Sequence, residues 1–269
     1  MYLFTGESAF PMLIRFFFLA MLVLHLFKKY IVDSQLFVAL MGACLGAFFL
    51  MAKGIALWPH ALIFFLFYWS GYCYTKYQDY FWCSPRVIFA CVLAAVAIAM
   101  LLIFRQDKEI FKWLLICGLG FLYNSIFLNK TARQIPLLKI VHVAVVWGLI
   151  NAWMAASHFL PGVFLITLLF ICGLILPFDI RDVEEDSITT FPKLIGTKFT
   201  KLLAVVLLSA SALLSFHYLS YCYAFSFSIA AAVAIALTLP ARKTFPALYF
   251  TCLIEACSGL PLLCYLILR

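Results

Sequence analysis

Residues 159–186 read FLPGVFLITLLFICGLILPFDIRDVEED, a long apolar run closed by a cluster of acidic residues. The apolar part, residues 159–178, has the length of about 20 residues that a helix needs to cross a bilayer. Five of the 11 acidic residues of the chain follow it, between Asp179 and Asp186. This stretch therefore predicts a transmembrane helix that ends in a concentration of negative charge.

The apolar pattern extends over the whole chain. Its 269 residues are 67% hydrophobic and 11% charged, a composition typical of a polytopic membrane protein. Because lipid cannot satisfy backbone polar groups, each apolar run should be helical. We expect an all-α protein with about nine transmembrane helices, at residues 35–52, 56–76, 87–104, 110–128, 137–155, 159–178, 202–219, 221–239 and 245–268.

The N-terminal apolar run, residues 16–27, is too short to cross a bilayer. Runs of about 10–14 residues usually lie at the membrane interface, and Arg15 and Lys28-Lys29 flank this one as basic anchors. We expect one domain over residues 1–269, with an interfacial helix and linker at 1–34 and the bundle at 35–268. If residues 10–29 cross the bilayer instead, the bundle has ten helices.

The basic residues divide unevenly between the two sides of this topology. Fourteen lie on the side of the acidic cluster and five on the other, so the N-terminus and the cluster are predicted to face the cytoplasm. The expected location is a bacterial cytoplasmic membrane. The net charge of +8 is explained by this asymmetry, and no nucleic-acid partner is expected. The ten cysteines show no CxxC and no Cys/His ligand spacing, which argues against zinc, haem or a disulfide framework.

The spacing within the acidic cluster suggests a cation site. Asp179, Asp182 and Asp186 are spaced i, i+3, i+7, which places them within about 60° of one another on a helix. Three carboxylates on one stripe repel one another unless a cation lies among them. Mg²⁺ takes oxygen ligands and bridges to phosphates, so the stripe could hold a metal and a diphosphate. An acidic turn solvated by water fits the spacing equally well.

DIRDVEED followed by TFPKLIG resembles the second aspartate-rich motif of the UbiA superfamily of intramembrane prenyltransferases. The resemblance implies a helical bundle around a central cavity that opens towards the membrane, with Mg²⁺ and an isoprenoid diphosphate held by the aspartates. The acidic cluster follows the sixth predicted span, in agreement with that architecture. The matching positions are Asp179, Asp182, Asp186, Thr190, Pro192 and Gly196.

The first aspartate-rich motif of the superfamily is degenerate in this chain. At the end of the second predicted span the chain reads YWSGYCYTKYQDYF, residues 68–81, in which Asp79 is the one acid. Cys73 stands where the family has Asn, and Tyr77 stands where it has the first Asp. The departure indicates fewer metals, another diphosphate pose, a non-diphosphate substrate or lost catalysis. Asp79 is a candidate substrate ligand, or else a loop acid paired with Lys76.

A basic loop after the fourth predicted span supplies further candidates. Residues 122–140 read LYNSIFLNKTARQIPLLKI, which resembles a Tyr…Arg-x-x-Pro-x-x-Lys run of the superfamily. Arg offers a bidentate fork and Lys a point charge to a diphosphate. Their alternative role is to anchor the loop at the membrane surface. The candidate substrate ligands here are Tyr123, Lys130, Arg133 and Lys139.

Two further charged residues need an interpretation. Arg181 points away from the aspartate stripe on an ideal helix, so it is a weaker candidate than the loop cations. Glu255 lies inside the last apolar run, where an acid is costly and therefore a functional candidate. A neighbouring Ser or Tyr could instead satisfy it.

The function that the resemblance implies is prenyl transfer. Asp179, Asp182 and Asp186 would hold Mg²⁺, and an isoprenoid chain would pass from its diphosphate to a lipophilic acceptor, typically an aromatic one. The degenerate first motif leaves a terpene cyclase or a non-catalytic isoprenoid-binding relative as the alternative. A cation transporter is a third reading, although transporters usually place their acids near the bilayer midplane.

Overall fold

The computed structural model describes residue 19 and residues 21–77, 84–104, 107–122, 136–184 and 189–269. Every regular element in these residues is helical, which confirms the predicted all-helical fold. The helical segment Met21–Val32 leads the described chain, and a π-helical segment, Tyr249–Ile254, precedes the last helix. The α-helices are α1 Leu36–Ala52, α2 His60–Tyr77, α3 Pro85–Ile103, α4 Asp107–Leu122, α5 Pro136–Trp153, α6 Pro161–Arg181, α7 Phe191–Tyr218, α8 Tyr221–Thr238 and α9 Leu260–Leu268.

Several of these helices could cross a membrane. Within the described ranges, α3, α6, α7 and α8 are each long and apolar enough to do so. The Met21–Val32 segment and α1 would form a fifth span if taken together, although the chain bends by 62° between them. The side chains from Met21 to Tyr30 are exposed, as expected for a helix that lies at a membrane surface.

Two helix boundaries differ from the predicted spans. Helix α7 begins at Phe191 rather than at residue 202, because Thr190 is extended and Pro192 lies in the first turn, where its missing N–H is not needed. The predicted span 245–268 is not one continuous helix. It divides into the π segment Tyr249–Ile254, a turn, and the short helix α9.

The interior combines close helix contacts with buried aromatic rings. A Cβ atom built on Gly173 of α6 would lie 2.7 Å from Cγ of Leu208 on α7, so only glycine allows this approach. Phe227 of α8 has its ring centroid 4.9 Å from that of Phe170 and 6.2 Å from that of Phe48. These rings join α1, α6 and α8 into one core.

Lysine side chains donate hydrogen bonds to the carboxyl ends of helices other than their own. The last carbonyls of a helix lack partners within the helix and carry partial negative charge. Lys53, which follows α1, donates to the carbonyl of Tyr218 at the end of α7, at 2.8 Å. Lys201 of α7 donates to the carbonyl of Leu239, which caps α8, at 2.7 Å.

Lys112 is buried, and it donates to carbonyls at the carboxyl end of α5 in the same way. Its ammonium donates to the carbonyls of Trp153 at 3.1 Å and Ala156 at 2.7 Å. The carboxylate of Glu109 lies 2.7 Å from the same ammonium, and both side chains are largely shielded from solvent. The lysine therefore joins α4 to the end of α5.

These contacts define two ends of the bundle. At one end α6 and α8 finish while α5 and α7 begin, because Lys139 of α5 contacts Asp179 of α6 and Lys201 contacts Leu239. We call this the aspartate end. Lys53 and Lys112 lie at the opposite end. These four lysines therefore divide between the two ends of the bundle, Lys139 and Lys201 at one and Lys53 and Lys112 at the other.

Candidate functional site

Asp179 is the buried acid of the aspartate end. It lies in the last turn of α6, and its side chain is 2% exposed. The ammonium of Lys139, in the first turn of α5, lies 3.6 Å from its Oδ1 atom. An ionised carboxylate buried without a cation would be very costly. The structure therefore brings together two of the predicted site residues, one acid and one base.

Asp182 lies just beyond the end of α6. The helix finishes at Arg181, and Asp182 has φ −88° and ψ 9° while its N–H still bonds to the carbonyl of Phe178. Consequently the three-aspartate stripe does not continue along one helix. Arg181 donates from Nε and one terminal nitrogen to the two oxygens of Asp182, at 2.5 and 2.8 Å. The prediction that Arg181 points away from the aspartates is wrong, because it assumed a helix that continues.

Aromatic rings hold the Arg181 guanidinium in place. Its central carbon lies 5.3 Å from the ring centroid of Phe178 and 5.7 Å from that of Phe250. The two rings are themselves 6.1 Å apart. Cation–π contact of this kind favours a charge that is partly removed from water. Phe250 belongs to the π segment Tyr249–Ile254, so the end of the chain helps to form the site.

A third acid–base pair lies at the rim of the aspartate end. Glu184 is paired with Lys243, and their side chains are 72% and 52% exposed. The acids therefore become more exposed with distance along the chain from α6. Asp182 is intermediate, with 25% of its side chain exposed.

The Thr-x-Pro and Gly positions after the acidic cluster shape the start of α7. Thr190 caps the helix and is buried, and its hydroxyl has no hydrogen-bond partner in the described part of the chain. Gly196 has φ 79° and ψ 156°, a conformation essentially restricted to glycine, and it kinks α7. Its carbonyl accepts a hydrogen bond from Thr200 at 3.0 Å. Local backbone geometry thus accounts for Pro192 and Gly196, whereas the buried hydroxyl of Thr190 has no such explanation.

Several predicted site residues lie outside the described part of the chain. Among the residues that the structure describes, no three of His, Cys, Asp and Glu come together as a metal site. Asp179 and Asp182 are three residues apart at one helix end, and their carboxylate oxygens are ligands of the kind that Mg²⁺ takes. Asp179 and Asp182 are therefore the described members of the predicted ligand set, and each lies beside a basic side chain. The predicted residues outside the described ranges are Asp79, Tyr123, Lys130, Arg133 and Asp186.

Cys73 and Tyr77, the two residues aligned above with a family motif, contact backbone carbonyls. The hydroxyl of Tyr77 donates to the carbonyl of Asp33 at 3.3 Å, and the thiol of Cys73 contacts the carbonyl of Ser34 at 3.6 Å. Both carbonyls belong to the bend between the Met21–Val32 segment and α1. Cys73 and Tyr77 therefore fasten the N-terminal segment to α2.

Asp33 is an acid near this motif that the sequence analysis missed. Lys76 donates to its backbone carbonyl at 2.8 Å, and Lys28 is paired with its carboxylate at 3.3 Å. The guanidinium of Arg86 lies 4.8 Å from the ring centroid of Tyr77. No motif marks Asp33, and only the fold brings it beside the end of α2.

A cavity of about 420 Å³ lies between α2, α3, α4 and α5. Its volume falls within the roughly 300–1,000 Å³ of small-molecule sites. Three α5 residues in its wall, His142, Val143 and Val146, lie three, four and seven positions beyond Lys139. Helical spacing puts Lys139 on the same face of α5, one turn before the cavity begins. Lys139 is not itself among the residues that line the cavity, but it precedes them on the cavity-facing side of α5.

The cavity wall is mainly apolar and aromatic, with a few polar atoms. Trp147 donates from its indole nitrogen to the hydroxyl of Tyr72 at 3.1 Å, which links α5 to α2 across the wall. Ser70 donates to the carbonyl of Ala90 at 2.8 Å and ties α2 to α3. Neither Asp179 nor Asp182 is among the residues that line it.

Glu255 directly follows the π segment Tyr249–Ile254. The hydroxyl of Ser258 donates to its backbone carbonyl at 2.8 Å, not to its carboxylate. In the described residues no hydrogen bond or ion pair reaches that carboxylate. Ser258 therefore does not supply the hydrogen bond that a neighbouring serine could have given to the Glu255 carboxylate.

The fold and site define a class: a helical protein with several helices apolar enough to cross a membrane and, among its described residues, with the acid–base pairs Lys139–Asp179, Arg181–Asp182 and Lys243–Glu184 at one end of the bundle. Comparison of the chain with protein-family models, with curated proteins and with solved structures finds no match.

Proposed function

We propose that this protein is an integral membrane prenyltransferase, which moves an isoprenoid chain from its diphosphate to a lipophilic or aromatic acceptor. In this proposal α1 to α9 form nine spans around a central cavity, with the π segment and α9 together making the last. The aspartate end faces the cytoplasm, as the excess of basic residues on that side favours. The motif resemblance and the geometry of the aspartate end support the proposal.

The observation that carries the proposal is the ion pair between the buried Asp179 and the partly exposed Lys139, which lies on the face of α5 that lines an apolar cavity one turn further on. Polar groups in a membrane bundle are costly and usually serve a function. The carboxyl end of α6 adds partial negative charge around Asp179 and favours cations, while the amino end of α5 favours anions. A cation and a phosphate could thus both be bound where these two helix ends meet.

Asp179 and Asp182 would hold Mg²⁺, with Asp186 as the third ligand that the motif implies. Such an ion neutralises the charge that develops on a diphosphate leaving group. Lys139 and Arg181 balance the two carboxylates and also present N–H donors to phosphate oxygens. The substrate ligands proposed with them are Asp79, Tyr123, Lys130 and Arg133.

The cavity between α2 and α5 would take the apolar chain. The diphosphate head group of the substrate would then lie one helical turn from the cavity, at Lys139. The isoprenoid tail would extend along α5 towards Trp147. The ring faces of Trp147 and Tyr72 could stabilise an allylic cation within reach of the cavity. The mainly apolar wall would also limit the contact of water with such a cation.

A second candidate function follows from Cys73 and Tyr77. Both are engaged with backbone carbonyls, so neither is available as a second set of metal ligands. This favours a relative that binds an isoprenoid lipid without transfer, or a terpene cyclase that needs no acceptor.

The test is turnover of radiolabelled prenyl diphosphates of several lengths by the purified full-length chain, with Mg²⁺ or with chelator. We expect Asp179→Asn and Asp182→Asn each to lower turnover by about a hundredfold or more, because charge stabilisation at the leaving group is lost. Glu184→Gln is the matched control, since it removes an exposed acid from the same segment. Turnover by both aspartate variants at the level of this control would refute the proposal.

The acceptor distinguishes the two candidates. Product that forms only with an aromatic or lipophilic acceptor indicates transfer, whereas diphosphate release without any acceptor indicates cyclisation or hydrolysis. Saturable retention of the prenyl diphosphate without diphosphate release would indicate a binding protein.

A further inference from the structure

The outer face of α7 carries an open apolar groove near the aspartate end. The groove has a volume of about 530 Å³ and is formed by α7 alone. Phe199 and Leu202 are among its most exposed side chains, at 65% and 57%. We call this surface the α7 groove; its lining residues are Ile195, Phe199, Leu202, Leu203 and Val206.

The kink at Gly196 explains why the groove has an open end. The first turn of α7, from Phe191 to Ile195, has a different direction from the remainder of the helix. Ile195 lies on one side of the kink and Phe199 on the other, and both line the groove. The apolar surface therefore begins at the aspartate end and runs along α7 as far as Val206.

Basic side chains stand at the open end of the α7 groove. Lys198 precedes Phe199 and is exposed, and Lys201 lies one turn further on the same side of the helix. Arg242 is exposed. It is close enough to Lys201 for their charges to interact, because Lys201 donates to the carbonyl of Leu239, three residues before Arg242 in the chain. In the described residues neither Lys198 nor Arg242 has an ion-pair partner. Within the part of the chain that the structure describes, no carboxylate balances their charge.

The described acid that pairs with the sequence neighbour of Arg242 is already engaged. Glu184 is paired with Lys243, which follows Arg242 directly in the chain. A negatively charged ligand at Lys198 and Arg242 would thus meet two cations that have no partner among the described carboxylates.

We propose that the α7 groove and the three basic residues at its end, Lys198, Lys201 and Arg242, bind an anionic phospholipid of the surrounding membrane. The phosphate of the lipid lies against the basic residues, and one acyl chain lies along Phe199, Leu202 and Val206. Apolar surface next to cations at the membrane surface matches both parts of such a lipid. A second copy of the chain fits less well, because it would bring like charges together.

The proposal is tested by lipid binding to the full-length chain, measured by native mass spectrometry from mixed micelles. Equal amounts of phosphatidylglycerol and phosphatidylcholine are offered, and the ratio of the two bound lipids is recorded. We expect the wild-type chain to prefer phosphatidylglycerol. The double substitution Lys198→Gln and Arg242→Gln should lower this preference by about fivefold for each basic residue removed.

A charge-matched control uses the opposite end of the bundle. Lys108 and Arg269 are exposed there, so Lys108→Gln with Arg269→Gln removes the same charge without touching the groove. This control should retain the wild-type preference. Equal loss in both double variants, or no preference in the wild type, would overturn the proposal.

A second measurement separates the lipid from its phosphate group alone. Glycerol phosphate should not displace bound phosphatidylglycerol, because it lacks the chain that fills the groove. Phe199→Ser with Leu202→Ser should weaken phosphatidylglycerol binding while the basic residues remain. Full displacement by glycerol phosphate, or unchanged binding in this apolar variant, would refute a lipid site. Neither result depends on prenyl transfer.

Discussion

Removal of Lys139 should destabilise the protein through the charge that it leaves on Asp179. At 3.6 Å and an effective dielectric constant of about 20, the attraction between the two charges is about 4–5 kcal/mol. Desolvation opposes part of this, and Lys139 is 28% exposed and so partly screened. We therefore expect a net coupling of about 1–3 kcal/mol between the two side chains.

The coupling is measurable as a double-mutant cycle. Lys139→Met alone should lower the free energy of unfolding by about 3 kcal/mol, because it leaves a buried carboxylate without this cation. Asp179→Asn alone should cost less, and the double variant should recover part of the loss. The assay is reversible unfolding in mixed micelles, followed by circular dichroism.

The exposed pair at the rim supplies the control cycle. Lys243→Met and Glu184→Gln should show a coupling of only about 0–1 kcal/mol, because both side chains are mainly in water. If the Lys139 and Asp179 substitutions add within about 0.5 kcal/mol, the two residues are not coupled and the reasoning is refuted.

Two further substitutions test the backbone and the opposite end of the bundle. Gly196→Ala should destabilise the protein by about 1–3 kcal/mol in the same unfolding assay, because φ 79° with ψ 156° is strained for any residue with a Cβ. Gly118→Ala, in open space on α4, should not destabilise it, and equal loss in both would contradict the argument. Lys112→Met should lower the free energy of unfolding by about 3–5 kcal/mol, because it removes the cation that pairs with Glu109 and the donor to two carbonyls. An unfolding midpoint like that of the wild type would show that the buried cluster contributes nothing to stability.

Hydrophobicity was sufficient to predict the class of fold. The run that ends at Phe178 became α6, since twenty apolar residues in lipid have few alternatives to a helix. The same reasoning failed at 245–268, because an apolar run does not reveal a π segment or a turn within it. It also missed the early start of α7, since charged residues such as Lys193 and Lys198 made that turn look like a loop.

The candidate site could be predicted only in part. Lys139 and Asp179 lie forty residues apart, and their contact requires α5 and α6 to pack antiparallel, which short connections favour. Arg181 was misplaced because the geometry of an ideal helix was applied beyond the point where α6 ends. Asp33 was missed because its position depends on the bend before α1, for which the sequence has no recognisable signal.

The exposure of the three acid–base pairs also ranks the acids by what they can do. A carboxylate in water, such as Glu184, interacts weakly with any cation, because solvent and salt screen it. Asp179 is shielded from water, so a cation that replaced Lys139 would act on it with much less screening. Of the described acids at this end, Asp179 is therefore the one whose loss should matter most for both stability and ion binding. The measurement that decides this is the dependence of the unfolding midpoint on Mg²⁺ concentration. This dependence should vanish in Asp179→Asn and persist in Glu184→Gln. If it persists in Asp179→Asn and vanishes in Glu184→Gln, the ion binds at the rim instead.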